Sequence, residues 1–156
     1  MAGRARTAGI ALGAVLVIGA VVFVFVTPYH GTPGVRLGGT LTAAPGDWST
    51  VNGTREMQLK PDGFPPFVVN IWFVGTPNGV ITGTQPGGYW GGRIRANPHA
   101  TVRIGDAAYE VKAREILDVQ ARKELFAAYA GKYDLAEAGM TPDDLANMTL
   151  FFWTPR

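Results

Sequence analysis

Gly87 and Gly88 stand directly before 89–96, where Trp90 and Ile94 lie four apart and Asn97-Pro98 forces a stop, the pattern of one short helix. A glycine pair at such a start lets backbone approach an anion, because the first amides of a helix are unpaired and its dipole is positive there. Arg93, one turn along, adds a cation suited to a phosphate or carboxylate. The same residues also serve a bare tight turn with Arg93 and Arg95 in solvent, and both readings stand. Trp90 offers a face for stacking, yet its spacing to Ile94 is that of a core-facing stripe. Asn70 and Trp72 decorate one face of the apolar run 67–74, either as contacts to a ligand edge or as buried groups satisfied by their neighbours. His99 follows the Asn-Pro turn and reads as an exposed residue at a strand start rather than a proton donor.

Other chemistries are excluded by what the chain lacks. Its 156 residues include no cysteine, two histidines (His30 and His99) and one serine, Ser49. Thiolate chemistry and a three-histidine metal site are therefore ruled out within one chain, and no G-x-S-x-G surrounds Ser49. We expect no metal. Arg4 and Arg6 account for the formal charge of +2, and the rest carries 12 basic and 12 acidic residues. A neutral domain argues against nucleic acid as a partner.

The elements that must position these residues are mainly short strands. Residues 54–60 alternate through Met57 and Leu59. The apolar run 67–74 turns at 75–79, with the hairpin signal Asn78-Gly79, into a short partner at 79–83. After the short helix, 100–104 and 107–117 alternate through Val102, Ile104, Tyr109, Val111 and Ala113 about a Gly105-Asp106 turn. The period then changes: Ala121, Leu125, Ala128 and Tyr129 share a helical face, Asp118 caps the start and Gly131 the end of a helix over 118–129. Thr141-Pro142-Asp143-Asp144 reads as a second helix start, and 148–153 as the last strand. Six mainly antiparallel strands with two or three short helices predict an α+β domain whose sheet closes into a small barrel over 54–156. Residues 27–53, rich in Gly, Pro and Thr, read as a linker, with Trp48 either a lid or the first core contact.

Before the linker, residues 8–26 form an uncharged run of 19. As a helix it reaches roughly 28 Å, close to the ~30 Å of a bilayer's hydrocarbon core. Its end, Phe23-Val24-Phe25-Val26-Thr27-Pro28, offers no small-x-small cleavage site, so an uncleaved anchor is expected. Arg4 and Arg6 lie in the short segment 1–7, and the next basic residue is Arg36. The positive-inside rule puts the N-terminus in the cytoplasm and the domain outside, as a single-pass protein of the cell membrane.

Thr82-Gly83-Thr84-Gln85-Pro86-Gly87-Gly88-Tyr89-Trp90, then Arg93-Ile94-Arg95-Ala96-Asn97-Pro98, then Val102-Arg103-Ile104-Gly105 with Tyr109 and Ala113-Arg114, resemble the deazaflavin-dependent nitroreductase group of the flavin-binding split β-barrels, a pyridoxamine-phosphate-oxidase-like family. The resemblance implies a split β-barrel and a homodimer with cofactor in the dimer groove. It also implies hydride transfer between a deazaflavin coenzyme or FMN and an organic acceptor such as a quinone or nitro compound. Where many members carry a basic, glycine-rich segment before the second strand, this chain has Leu59-Lys60-Pro61-Asp62-Gly63-Phe64-Pro65-Pro66, with Lys60 as the cation. The expected cofactor set is Lys60, Gly87, Gly88 and Arg93 at the anionic end, with Trp72 and Trp90 beside the rings. No catalytic side chain is expected, because the cofactor supplies the chemistry. The altered phosphate segment and the outward topology support a second class, a cofactor-free split-barrel module for binding or assembly in a membrane complex.

Overall fold

The structure is a computed structural model that describes residues 2–25, 34–135 and 147–156. Helix α1 spans Ala2–Phe25, with side chains described for 9–23. Among the described residues no helix is long and apolar enough to cross a membrane; the expected run 8–26 extends past both ends of those side chains.

Alternation produces the barrel. β2 (Glu56–Pro61), β3 (Val69–Thr76), β4 (Gly79–Thr84), β5 (His99–Ile104), β6 (Ala107–Glu115) and β7 (Thr149–Pro155) follow a two-residue β1 (Thr40–Leu41). The order is β1-β6-β5-β2-β3-β4-β7, and an added β6–β7 pairing closes the six longer strands into an antiparallel ring. β6 shares one edge between two partners: β1 lies parallel at Ala107 and Ala108, and β7 antiparallel from Val111 to Glu115. Inward side chains, among them Met57, Leu59, Phe73, Val102, Val111 and Trp153, make the core. Trp153 Nε1 donates to Thr82 Oγ1 at 2.8 Å, which satisfies both polar groups where no water reaches.

Two helices cover the ring. α2 (Tyr89–Ala96) crosses from the end of β4 to the start of β5 and buries Trp90, Gly91 and Ile94 in the barrel core. α3 (Val119–Lys132) lies on the outside, where Tyr129 and Tyr133 pack with Val74, Ile81, Ile116 and Leu150. Asp118 caps α3 as expected, accepting from Ala121 N at 2.7 Å. The expected stop at Gly131 gives way to a last turn through Lys132, because Tyr133 docks on the sheet and its N–H closes on Tyr129 O. The Leu125 side chain and the 141–144 cap lie outside the described residues.

The described portion of the stretch read as a linker is folded against the barrel. Gly34 exchanges both backbone hydrogen bonds with Val68 (2.9 and 2.7 Å), Leu37 is buried, and Arg103 Nη1 donates to Leu37 O. Trp48 opens a short 3-10 helix, Trp48–Val51, capped by Asp47, and sits in the core with its ring 5.0 Å from Tyr109, an edge-on contact. It is a core residue. Low local propensity is overridden here by pairing to strands already formed.

Candidate functional site

β3 and β4 pair from Thr76↔Gly79 as far as Phe73↔Thr82 and then diverge. Beyond that point β3 continues on β2 to Leu59↔Val69, and β4 continues on β7 to Thr84↔Thr149. The gap is a cleft of about 210 Å³ lined by Ile71, Trp72, Gly83, Thr84, Gln85, Tyr129 and Met148. A glycine inside a strand often marks such a close approach. A Cβ on Gly83 would stand 2.3 Å from Met148 Cε, the mobile end of a flexible side chain.

The cleft's outer wall is built from aromatic rings whose polar ends serve the β3 backbone. Trp72 stacks on Tyr133 with centroids 4.5 Å apart and planes 6° from parallel, and the Arg55 guanidinium stands 5.9 Å from its ring centre. Trp72 is thus a wall rather than a free stacking platform. Tyr129 donates to Trp72 O at 2.8 Å. Burial, with Tyr133 beside it, pushes its phenol upward, so it stays a neutral donor. Past the end of β2, the open edge of β3 is closed by side chains. Phe73 N donates to Tyr133 Oη at 2.9 Å, and Lys132 Nζ donates to Phe73 O at 2.8 Å. Asn52 pairs its amide with Gly75 N (2.7 Å) and Gly75 O (2.8 Å). Burial lowers Lys132 to about 8 and raises Tyr133 to about 12.

Of the residues expected at a cofactor, Trp72 alone lines this cleft. Trp90 is buried in the barrel core, 5.5 Å from Phe151, whereas Trp72 packs on the α3 side, so the two do not flank one ring. Gly87 has φ +75°, which a turn requires and a side chain resists. Gly88 gives its N–H to Gln85 O at 2.9 Å, and a Cβ there would stand 2.2 Å from Thr84 Oγ1. The two glycines are thus used by the turn and its packing. Arg93 is taken up by protein groups. Its Nη2 donates to Pro65 O (3.2 Å) and Tyr89 Oη (3.3 Å), and its guanidinium lies 5.3 Å from the Phe67 ring centre. Lys60 is on β2 opposite Thr101 of β5, with β3 between it and the strand that leads to Gly87. Asn70 is half-buried and has an interaction of its own.

Sequence reasoning passed over Gly83, Thr84, Gln85, Tyr129 and Met148 as site residues, because they come from three separate elements. The available signal was the strand-interior glycine. The lining holds no cation; Arg122, from α3, donates to the backbone carbonyl of Met148 beneath it. Arg95 grips Glu115 through two hydrogen bonds of 2.7 and 2.6 Å, which hold the Glu115 carboxyl below the usual range. Among the described residues, no group of three His, Asp or Glu is placed to hold a metal ion. An apolar, aromatic-walled slot with Thr84 and Gln85 on it suits the edge of a flat ring, and no acid–base pair is aimed into it.

No family model and no curated protein matches this chain. Solved structures do. A FAD-binding protein from Mesorhizobium loti aligns over 68% of this chain and 84% of its own, at 16% identity and a TM-score of 0.54. The heme storage protein HutZ from Vibrio cholerae aligns over 69% and 86%, at 14% identity and 0.54. An F420 reductase aligns over 72% and 96%, at 17% identity and 0.50. At such identities the likeness is one of fold, and with the closed six-strand ring it makes this domain a split β-barrel of the kind found in those flavin- and heme-protein structures.

Proposed function

We propose that this chain is a membrane-anchored oxidoreductase that binds a flavin, or the deazaflavin F420, with one edge of the ring system in the β3–β4 cleft. The observation that carries the reading is the cleft itself, a mainly apolar opening with Thr84 and Gln85 among its walls. When bound, such a cofactor supplies a hydride to an organic acceptor such as a quinone or nitro compound. The chain's own role is to position and shield: Trp72 and Tyr129 wall the ring edge, Met148 closes over Gly83, and Thr84 offers a hydroxyl. At about 210 Å³ the cleft is below the ~300 Å³ at which small-molecule sites begin, which supports the reading that a second copy completes it in a homodimer. Anchoring is supported by the uncharged run 8–26 and by α1, where Ile10, Leu12, Leu16 and Ile18 each leave more than half their surface uncovered by protein. The basic residues before the run, Arg4 and Arg6, support a domain outside the cytoplasm.

The second reading, a cofactor-free binding or assembly module, is favoured by Arg93 and Gly88, both of which have protein partners where an anion was expected. Titration of the full chain in detergent with FMN and F420, followed by absorbance and fluorescence, separates the two. Binding by the wild type, weakened about tenfold or more by Gly83→Leu, supports the cleft, since those added atoms fill it. Loss of binding in Arg93→Ala instead moves the anionic end to the start of α2. No binding of either compound by the wild type leaves the assembly module.

A further inference from the structure

We infer that one end of the barrel, presented by Phe64 and Tyr89, rests on the bilayer surface beside the chain's own anchor. The inference rests on the anchoring proposed above and adds a lipid-facing surface to it. Phe64 is 89% exposed and Tyr89 65%. The Tyr89 ring stands 5.0 Å from Phe67, and Arg93, four residues along α2, reaches Tyr89 Oη and Pro65 O together. Arg93 thereby pins the loop 63–67 to the start of α2. Two large exposed rings, with a guanidinium bonded to one of them and to the residue after the other, match the headgroup region, where amphipathic aromatics and basic side chains are favoured together.

The occupant is fixed by where the chain enters. Gly34 is locked to Val68 by two backbone hydrogen bonds, three positions from Pro65. Only residues 26–33 separate it from Phe25 at the end of α1. Eight residues reach at most about 30 Å. That is about one diameter of a barrel of this size, so an anchored α1 keeps the barrel within a diameter of the membrane surface with its Gly34 end on average the nearer. Phe64 is at that end. The opposite end of β5 carries the Gly105-Asp106 turn, about 20 Å away along a six-residue strand. Weak affinity suffices for a surface tethered this closely.

The absence of native cysteine allows single labels in the full chain. Phe64→Cys and Asp106→Cys are each coupled to an environment-sensitive fluorophore and reconstituted into phosphatidylcholine–phosphatidylglycerol vesicles. Both positions are exposed, so neither label disturbs the core. Spin-labelled lipid with its nitroxide near the headgroup is expected to quench the label at 64 about threefold more than the label at 106, with a blue shift at 64 only. Equal quenching at the two positions, or none at 64 in vesicles that carry the protein, overturns the inference while leaving the anchor standing. Failure of the full chain to float with vesicles at high salt overturns the anchor, and this inference with it. A signal at 64 that disappears when each vesicle holds one chain assigns the surface to a second copy and likewise overturns it.

Discussion

α2 docks by entering the barrel with Trp90, Gly91 and Ile94, while α3 lies outside and reaches the sheet through Tyr129, Lys132 and Tyr133, whose polar ends bond the β3 backbone. The first attachment centres on removal of apolar surface from water, with Arg95 on Glu115 and Arg93 on Pro65 O at its rim. The second satisfies strand carbonyls and amides that would otherwise be unpaired where β2 ends and β3 leaves β4. α2 therefore belongs to the rigid body of the molecule. The wall that α3 gives to the cleft combines an apolar cluster with a few hydrogen bonds, one of them from a lysine whose charge is partly buried.

That contrast is sharpest at its largest effect. Trp90→Ala removes a ring set between Phe151 and Trp153 and is expected to cost about 3–5 kcal/mol in chemical denaturation. A loss within about 0.5 kcal/mol, typical of surface sites, would place Trp90 outside the core. Tyr133→Phe keeps the ring on Trp72 but strips the partner of Phe73 N, and is expected to cost about 1–3 kcal/mol while leaving α2 unaffected. Hydrogen exchange at Phe73 should quicken by the corresponding factor, and unchanged exchange would mean that the hydroxyl carries no weight there.

The smallest effect is one of pH. Lys132 sits at about 8 in the folded protein against 10.5 ordinarily, so between those values the unfolded chain holds a proton that the folded one has released. Stability from this group therefore rises with pH across about 8 to 10.5. Tyr133 acts in the opposite sense: its folded value of about 12 against 10 lowers stability once the unfolded phenol ionises above pH 10. Melting temperatures of wild type and Lys132→Met from pH 7 to 9.5 should show the wild type gaining on the variant. Parallel curves would mean that Lys132 is as hydrated folded as unfolded.

The strands and α2 were legible because their signals are local. Alternation through Val102, Ile104, Tyr109 and Val111 marked inward faces, and Gly105-Asp106 and Asn78-Gly79 marked their turns. The assignment of Trp72 and Trp90 to one site was not recoverable, for a physical reason. β3 is covered on both faces, by core on one and α3 on the other, so the run 67–74 is apolar apart from Asn70 and its parity is hidden. Arg93 was legible as a cation but not as a clamp on Pro65, since nothing in its own helix points to a loop 28 residues earlier. The fold of 34–53 was hidden differently. Gly34, Leu37 and Thr40 have no period, and they acquire structure only by pairing with Val68 and Ala107 or by lying against Arg103.

The amide of Asn52, paired with both backbone groups of Gly75, takes the place that another strand would occupy, and a Cβ on Gly75 would stand 2.0 Å from Trp48 O. With Tyr133 and Lys132 on Phe73, it spends the donors and acceptors that the stretch of β3 beyond β2 would otherwise offer to a neighbour. A sheet edge left bare is a template for uncontrolled association between chains. Here that template is already filled by side chains of the same molecule, so β3 can run on beyond its pairing with β2 without becoming prone to aggregate.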